Sequence, residues 1–315
     1  MNLSEKFRPK DWEDVVGQQH IIASLKEMLG KTDKPPHMLY VGNPGTGKNT
    51  VAQIFAKHYL GEGWKSYFHE FNASDSRKLT DVREKIKPLS RVIVKQIINL
   101  TEADSMDHLA QPALRRIMET TKNTLFILDV NDETKVIPAI KSRCAEYRFS
   151  PLTEEHIIRR LVKICDSEGI KLTFSEEEKS GLRQIYKLSH GDMRKAINEL
   201  EKIITANKQI NAQSVLELNK TMNMMDECIK SALGGDFEKA KNTMEDAYII
   251  NGRNTELIMD SLLETISTLE NEQIKLRLYY ELGELEHRLQ STYRPLIPLF
   301  AFVSYVRIVP HLRRS

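Results

Sequence analysis

The sequence predicts an α/β domain with a doubly wound parallel sheet, followed by regions built from helices alone. Three observations predict it. Up to Pro151, short apolar runs suited to buried strands alternate with stretches of helical periodicity. A glycine-rich loop separates the first such strand from a helix. Beyond Pro151 the helical texture continues without a convincing strand run.

The elements follow in order. Arg8-Pro9 keeps residues 5–10 extended, because the proline ring crowds the residue before it. Asp14-Val15-Val16-Gly17-Gln18 opens a helix carrying Ile21, Leu25, Met28 and Leu29 on one face. Met38–Val41 is the first strand, and Val51, Ala52, Ile54, Phe55 and Ala56 begin the apolar stripe of the helix after the loop. Tyr67–Asn72 reads as a second strand, ended by Ala73-Ser74-Asp75. A helix with Leu79, Val82 and Ile86 follows, and a third strand lies within Arg91–Leu100. Leu109–Glu119 is helical, Thr124–Asn131 is the fourth strand, and Ala145–Phe149 is a shorter fifth. Helices are then expected at Glu154–Cys165, Glu176–Leu188, Asp192–Ala206 and Ala212–Leu218, with Met222–Met225 as a linker. Further helices are expected around 226–233, 236–249, 254–270, 272–290 and 295–309. The domains are thus 1–151, an α/β nucleotide-binding domain; 152–225, a helical lid; and 226–315, all-helical.

The loop Gly42-Asn43-Pro44-Gly45-Thr46-Gly47-Lys48 fits G-x-x-x-x-G-K in its proper context of strand, loop and helix. Its glycines let backbone N–H groups turn inward around a phosphate, beside the positive end of the helix. Lys48 adds a mobile charge for the β/γ-phosphates. The next residue should carry a hydroxyl for Mg²⁺, and it is Asn49. Thr50 offers a hydroxyl one residue late, a rotation of about 100° on a helix.

Phosphoryl chemistry also needs a carboxylate at the end of a neighbouring strand, beside an acid that orients water. Against the pattern D-E-A-D, this chain has Thr101-Glu102-Ala103-Asp104: Glu102 survives and the metal-holding acid has become Thr101. The amide oxygen of Asn49 is a weak metal ligand at best. ATP or ADP is therefore expected to bind through the loop amides and Lys48, with Mg²⁺ weakly held or absent and hydrolysis poor. Asn131, at a strand end, is placed to feel the γ-phosphate. Arg194, opening a lid helix, can reach over the phosphates. Arg143 lies before the edge strand, facing away from its own nucleotide and toward a neighbour's, as an arginine finger.

Composition narrows the rest. With 315 residues there is chain for two or three domains, and a net charge of +2 leaves nucleic-acid contact to local basic clusters. The three cysteines, Cys144, Cys165 and Cys228, are widely spaced, which argues against a zinc site or a disulfide framework. No apolar run approaches the roughly 18 residues of a membrane span, so a soluble intracellular protein is expected.

Taken together, Glu5-Lys6-Phe7-Arg8-Pro9, Val15-Val16-Gly17-Gln18, the loop, Asn72-Ala73-Ser74-Asp75, Glu102-Ala103-Asp104, Leu114–Glu119, Ser142-Arg143-Cys144, Phe149-Ser150-Pro151-Leu152 and Gly191–Asn198 stand in a familiar order. The chain resembles the small subunits of replication factor C, the AAA+ sliding-clamp loader of archaea and eukaryotes. The likeness weakens toward the C-terminus, where Glu284–Leu289 resembles that family's collar helix. It implies a pentameric ring with other small subunits and a large subunit, joined through helical collars. It also implies ATP at subunit interfaces, and a grip on a PCNA-type clamp and primer–template DNA. Its site would be cytoplasmic in an archaeon and nuclear in a eukaryote.

By that resemblance Val15 and Val16 lie near the adenine, Lys48 is the phosphate lysine, Asn131 sensor 1, Arg194 sensor 2 and Arg143 the finger acting in trans. Asn49 and Thr101 depart from the family pattern, and the stretch from Asp75 to Glu102 is a few residues short. Arg77, Lys78, Arg83, Arg115 and Arg116 are candidates for DNA phosphates, against a plain solvated helix face. For Arg143 the competing reading is a surface salt bridge, and for Arg194 a pairing with Glu199. Two functional alternatives stand beside a poorly hydrolysing clamp-loader subunit: an active DNA-dependent ATPase, and an AAA+ protein repurposed for another replication or repair task.

Overall fold

The computed structural model describes residues 2–32, 34–74, 80, 82–218 and 220–311. They fall into two compact units, Met1–Thr205 and Ala206–Ser315.

The first unit is built on a five-stranded sheet: β1 (His37–Val41), β2 (Phe68–Asn72), β3 (Gln96–Thr101), β4 (Thr124–Val130) and β5 (Cys144–Arg148). The order is β2-β3-β4-β1-β5, and every pairing is parallel. Parallel neighbours need crossovers on the faces of the sheet, so the central strands are buried on both sides. Accordingly Met38, Leu39 and Tyr40 of β1 and Phe126 and Ile127 of β4 are fully buried. One face carries Leu39, Ile98, Phe126 and Leu128, packed with Leu114 and Ile117 of α3 (Ala110–Thr120). The other carries Met38, Tyr40, Ile97 and Ile127, packed with Ile21 and Leu25 of α1 (Gln19–Lys31) and Val51 and Phe55 of α2 (Lys48–Leu60). Alternate residues of one strand thus serve opposite layers.

The third strand starts later than the first apolar residues of its run. Pairing begins at Gln96 opposite Thr124, while Val92, Ile93 and Val94 stay exposed ahead of it. Val82–Ile86 is one π-helical turn, and Leu79 lies outside the described residues.

After the sheet this unit continues with α4 (Glu154–Ser167), α5 (Glu176–Ser189) and α6 (Met193–Thr205). The α5 start is a capping box between Ser175 and Glu178. Leu152 N–H donates to Gly191 O at 3.1 Å, which ties the exit from the sheet to the start of α6.

The second unit is helical throughout: α7 (Ala212–Leu218), α8 (Lys220–Leu233), α9 (Phe237–Ile250), α10 (Thr255–Ser267), α11 (Glu272–Gln290) and α12 (Leu296–Ile308). Its core joins Met225, Ile229, Met244, Leu262, Leu285 and Phe302. The expected linker Met222–Met225 is corrected here. It lies inside α8, with Met225 fully buried and Met224 packed against the same core, because those two continue the apolar face of that helix.

Cys165 and Cys228 are buried and Cys144 half-buried, and none is in a disulfide. Burial pushes the thiols up, to about 11 for Cys165 and about 12 for Cys144 and Cys228, which leaves them unreactive. Among the described residues no helix is long and apolar enough to cross a membrane.

Candidate nucleotide-binding site

The glycine-rich loop follows β1 and ends at Gly47, whose φ of 99° turns the chain into α2. At Gly45, with φ of 70°, a Cβ would lie 1.8 Å from Asp192 Oδ1, so only glycine fits there. The Gly45 carbonyl accepts from Met193 N–H at 3.2 Å, docking the loop on the start of α6. Thr46 Oγ1 closes the loop by donating to Asn43 O at 2.8 Å.

Lys48 is almost fully enclosed, with 5% of its side chain exposed. Its ammonium donates to Gly42 O, to Asn43 O at 3.0 Å and to Asn131 Oδ1 at 3.0 Å. Asp129 Oδ1 stands 3.3 Å away. Asp129 and Asn131 are two residues apart at the end of β4, so both reach the same lysine. Burial pushes the Asp129 carboxyl up to about 6; Lys48 opposes this, and Asp104 and Glu102 add to it.

Around this centre lies a cavity of about 340 Å³. Its walls bring together most of the residues expected at the site. Val15, Val16 and the segment Ser4–Pro9 form one side, residues 44–50 another, Thr101, Glu102, Asp129 and Asn131 the strand ends, and Met193, Arg194 and Ile197 the cover. Gly42 and Asn43 stand behind the wall and act through their carbonyls on Lys48. Arg194 is exposed and has no hydrogen bond or ion pair among the described residues; Glu199 pairs with Lys202 instead.

The two positions expected to hold a metal are otherwise engaged. Asn49 Oδ1 accepts from Asn99 at 3.1 Å, and its amide donates to Glu70 Oε1 at 2.8 Å. Thr101 Oγ1 donates to Phe71 O at 3.4 Å. Among the described residues no group of three acidic, His or Cys side chains is gathered for a metal ion. Glu102 sits in the left-handed region at φ 54°, a strained conformation for a glutamate, and exposes its carboxylate to the cavity. Asp104 accepts from the backbone N–H groups of Asn131 at 3.4 Å and Asp132 at 3.3 Å, and so fixes the loop that presents Asn131.

Sequence reasoning missed Asp129, Asp104 and Gln18. Gln18 is buried; its amide donates to Ser150 O at 2.7 Å and Thr46 O at 3.4 Å, and its Oε1 accepts from Ser150 N–H at 3.3 Å. It straps the phosphate loop to the chain leaving β5. The signal for Asp129 was available: an acid inside the run Thr124–Val130, two residues before Asn131.

Arg143 is elsewhere. It precedes β5, whereas the loop follows β1; the two strands run parallel, with His37 opposite Cys144 and Val41 opposite Arg148. A strand of this length puts the two ends roughly 16 Å apart. Arg143 donates to Ala139 O at 2.7 Å and pairs with Glu119, which also meets Arg115 at 3.4 Å. Arg116 is exposed on α3. Arg77 and Lys78, and the side chain of Arg83, lie outside the described residues.

Residues 38–152 match the model of the AAA family, ATPases associated with various cellular activities, and residues 220–305 match the replication factor C C-terminal domain. The replication factor C small subunit of Archaeoglobus fulgidus is 37% identical, covering 96% of this chain and 96% of its own. That of Aeropyrum pernix is 35% identical, over 97% and 95%. The chain belongs to the replication factor C small-subunit family. The AAA+ fold is shared more widely: RuvB of Thermotoga maritima, a Holliday junction branch migration motor, superposes with a TM-score of 0.57 at 15% identity, over 83% of this chain and 90% of that one.

Proposed function

We propose that this chain is a small subunit of a pentameric clamp loader that uses ATP to place a PCNA-type sliding clamp on primer–template DNA. Its partners are other replication factor C small subunits, a large subunit, the clamp and DNA, in the archaeal cytoplasm or the eukaryotic nucleus. The observation that carries this is identity along nearly the whole chain to replication factor C small subunits. The working division is a nucleotide-binding part (1–151), a lid (152–225) and a collar (226–315), with α8 carrying the last boundary.

In this reading the nucleotide lies in the cavity between Val15, Val16 and the phosphate loop, with Arg194 above the phosphates and Asn131 at the terminal one. Hydrolysis in this chain's own site is poor. Asn49 and Thr101 supply neither the hydroxyl nor the carboxylate that ordinarily fixes Mg²⁺, and the Asn49 oxygen is already taken by Asn99. This donor set does not fit a firmly held Mg²⁺. Arg143, at the far end of the sheet, acts on a neighbouring subunit's nucleotide after leaving Glu119. Arg77, Lys78, Arg83, Arg115 and Arg116 are the candidates for contact with DNA phosphates.

The deciding experiment is affinity capture from cells of the organism that makes this chain. A sliding clamp and a large clamp-loader subunit should come down together; their absence would replace this reading with that of a repurposed AAA+ protein. In the reconstituted ring, Arg143→Ala should lower DNA-stimulated ATPase far more than Lys48→Ala in this chain. The reverse ranking would favour an active ATPase site here.

A further inference from the structure

We propose that Asp129 is an internal counter-ion for the phosphate-binding lysine, holding Lys48 in the place a phosphate would otherwise claim and thereby setting how tightly this site takes a triphosphate. The inference rests on the nucleotide-binding reading of the cavity.

Four oxygens surround the Lys48 ammonium, which has only three protons to donate. Two are backbone carbonyls and one is the Asn131 amide; they orient the side chain without changing its charge. Asp129 alone among the four carries a charge, and at 3.3 Å in an enclosed setting it cancels most of the field Lys48 would offer to an anion. A bound nucleotide competes with Asp129 for the same ammonium. The cost is greatest for the γ-phosphate, whose expected contact, Asn131, shares the lysine with Asp129. Asn49 and Thr101 bring no anionic ligand that would draw a cation there to relieve that repulsion, and their polar groups are already bonded to Glu70, Asn99 and Phe71.

The groups that face Asp129 are Lys48 from α2, Glu102 and Asp104 from beyond β3, and Tyr40 from β1. Glu102 and Asp104 oppose its ionisation and Lys48 favours it, while burial keeps the Tyr40 phenol protonated and therefore neutral toward it. Lowering the pH therefore neutralises Asp129 and frees the lysine.

The test uses the purified full chain, titrated with ATP and ADP in EDTA and again in Mg²⁺, with binding read by calorimetry. Asp129→Asn preserves shape and removes the charge. It should tighten ATP binding roughly tenfold in EDTA, the scale of one charged partner within hydrogen-bonding reach, and ADP binding by less. The gain should vanish in the Lys48→Ala background, which separates a charge effect on Lys48 from a general loosening. Wild-type affinity should rise from pH 8 to pH 5 more steeply than that of Asp129→Asn, whose own slope reports protonation of the nucleotide. Unchanged affinity in Asp129→Asn would overturn the inference while leaving nucleotide binding in place. Weaker binding only in Mg²⁺ would also overturn it, by making Asp129 a metal-holding acid. Absence of binding in both forms would overturn this inference and the nucleotide-binding reading together.

Discussion

At the scale of single residues, the site is governed by where charges are buried. The ordinary pKa of an aspartate is about 4, and the folded environment holds Asp129 at about 6. A carboxyl raised on folding binds its proton more tightly in the native state. Its contribution is fully present below the unfolded value and is lost as pH rises through the folded one. Ionised Asp129 thus costs the fold on the order of 3 kcal/mol at neutral pH. Asp129→Asn should match wild type in urea unfolding at pH 4 and exceed it progressively from pH 4 to 7; a constant offset across that range would remove this account.

Asn49 gives a second prediction of the same kind. The side chain of Asn99 is fully buried and its Oδ1 has no partner among the described residues, so the bond to Asn49 Oδ1 is what ties it to the loop helix. Asn49→Thr should lower stability by about 1–3 kcal/mol, because it leaves a buried amide donor unpaired. Combined with Thr101→Asp, it should still raise Mg²⁺-dependent hydrolysis severalfold, measured as phosphate release. No gain would mean that the missing ligands are not what limits turnover.

At the scale of elements, short side-chain bridges decide how the loop is held. Gln18, itself in the left-handed region at φ 59°, links the residue before α1 to both the phosphate loop and Ser150. Nearby, Asp11 joins Lys57 and His58 of α2, while Trp12 stacks on His58 with ring centroids 5.4 Å apart. Hydrogen bonds from Lys57, from His58 and from the Trp12 N–H hold the Asp11 carboxyl far below the usual carboxylate range. The N-terminal segment is thereby fastened as a wall of the cavity. Gln18→Ala should cost about 1–3 kcal/mol in denaturant unfolding, since two carbonyls and an N–H lose their partner. It should weaken nucleotide binding as well, because the loop loses its strap. Unaltered affinity would show that the Met193–Gly45 bond is enough to hold the loop.

At the scale of the whole molecule the chain falls into two compact units, the first with a core on each face of its sheet and the second with one among its helices. The core of the second unit is apolar packing between helices around Leu262, Leu285 and Phe302. Leu285→Ala should remove about 2–5 kcal/mol from that unit. Residues 1–205 should still bind nucleotide with wild-type affinity in the same sample. Loss of nucleotide binding would mean that the two units do not unfold independently.

The sequence by itself determined the α/β class, the strand order of appearance, the phosphate loop and the departures at Asn49 and Thr101, because each is written in local pattern: apolar runs, glycine spacing, and the residue after a lysine. It also marked Asn131, Arg194 and the Val15–Val16 pair, all of which the cavity gathers. Tertiary structure decided what those residues do to one another. That Lys48 is shared by Asp129 and Asn131, that Asn49 is consumed by Asn99 and Glu70, and that Arg143 is bound to Glu119 all depend on strands far apart in sequence lying side by side. The start of β3 was hidden for the same reason, since apolarity runs through Val92–Val94 while pairing begins only where β4 offers a partner. Met222–Met225 likewise read as a linker because a helix face becomes recognisable only against the core that buries it. Local pattern names the groups; the distance between them, and so their charge state and their freedom to act, is set by the packing of the sheet.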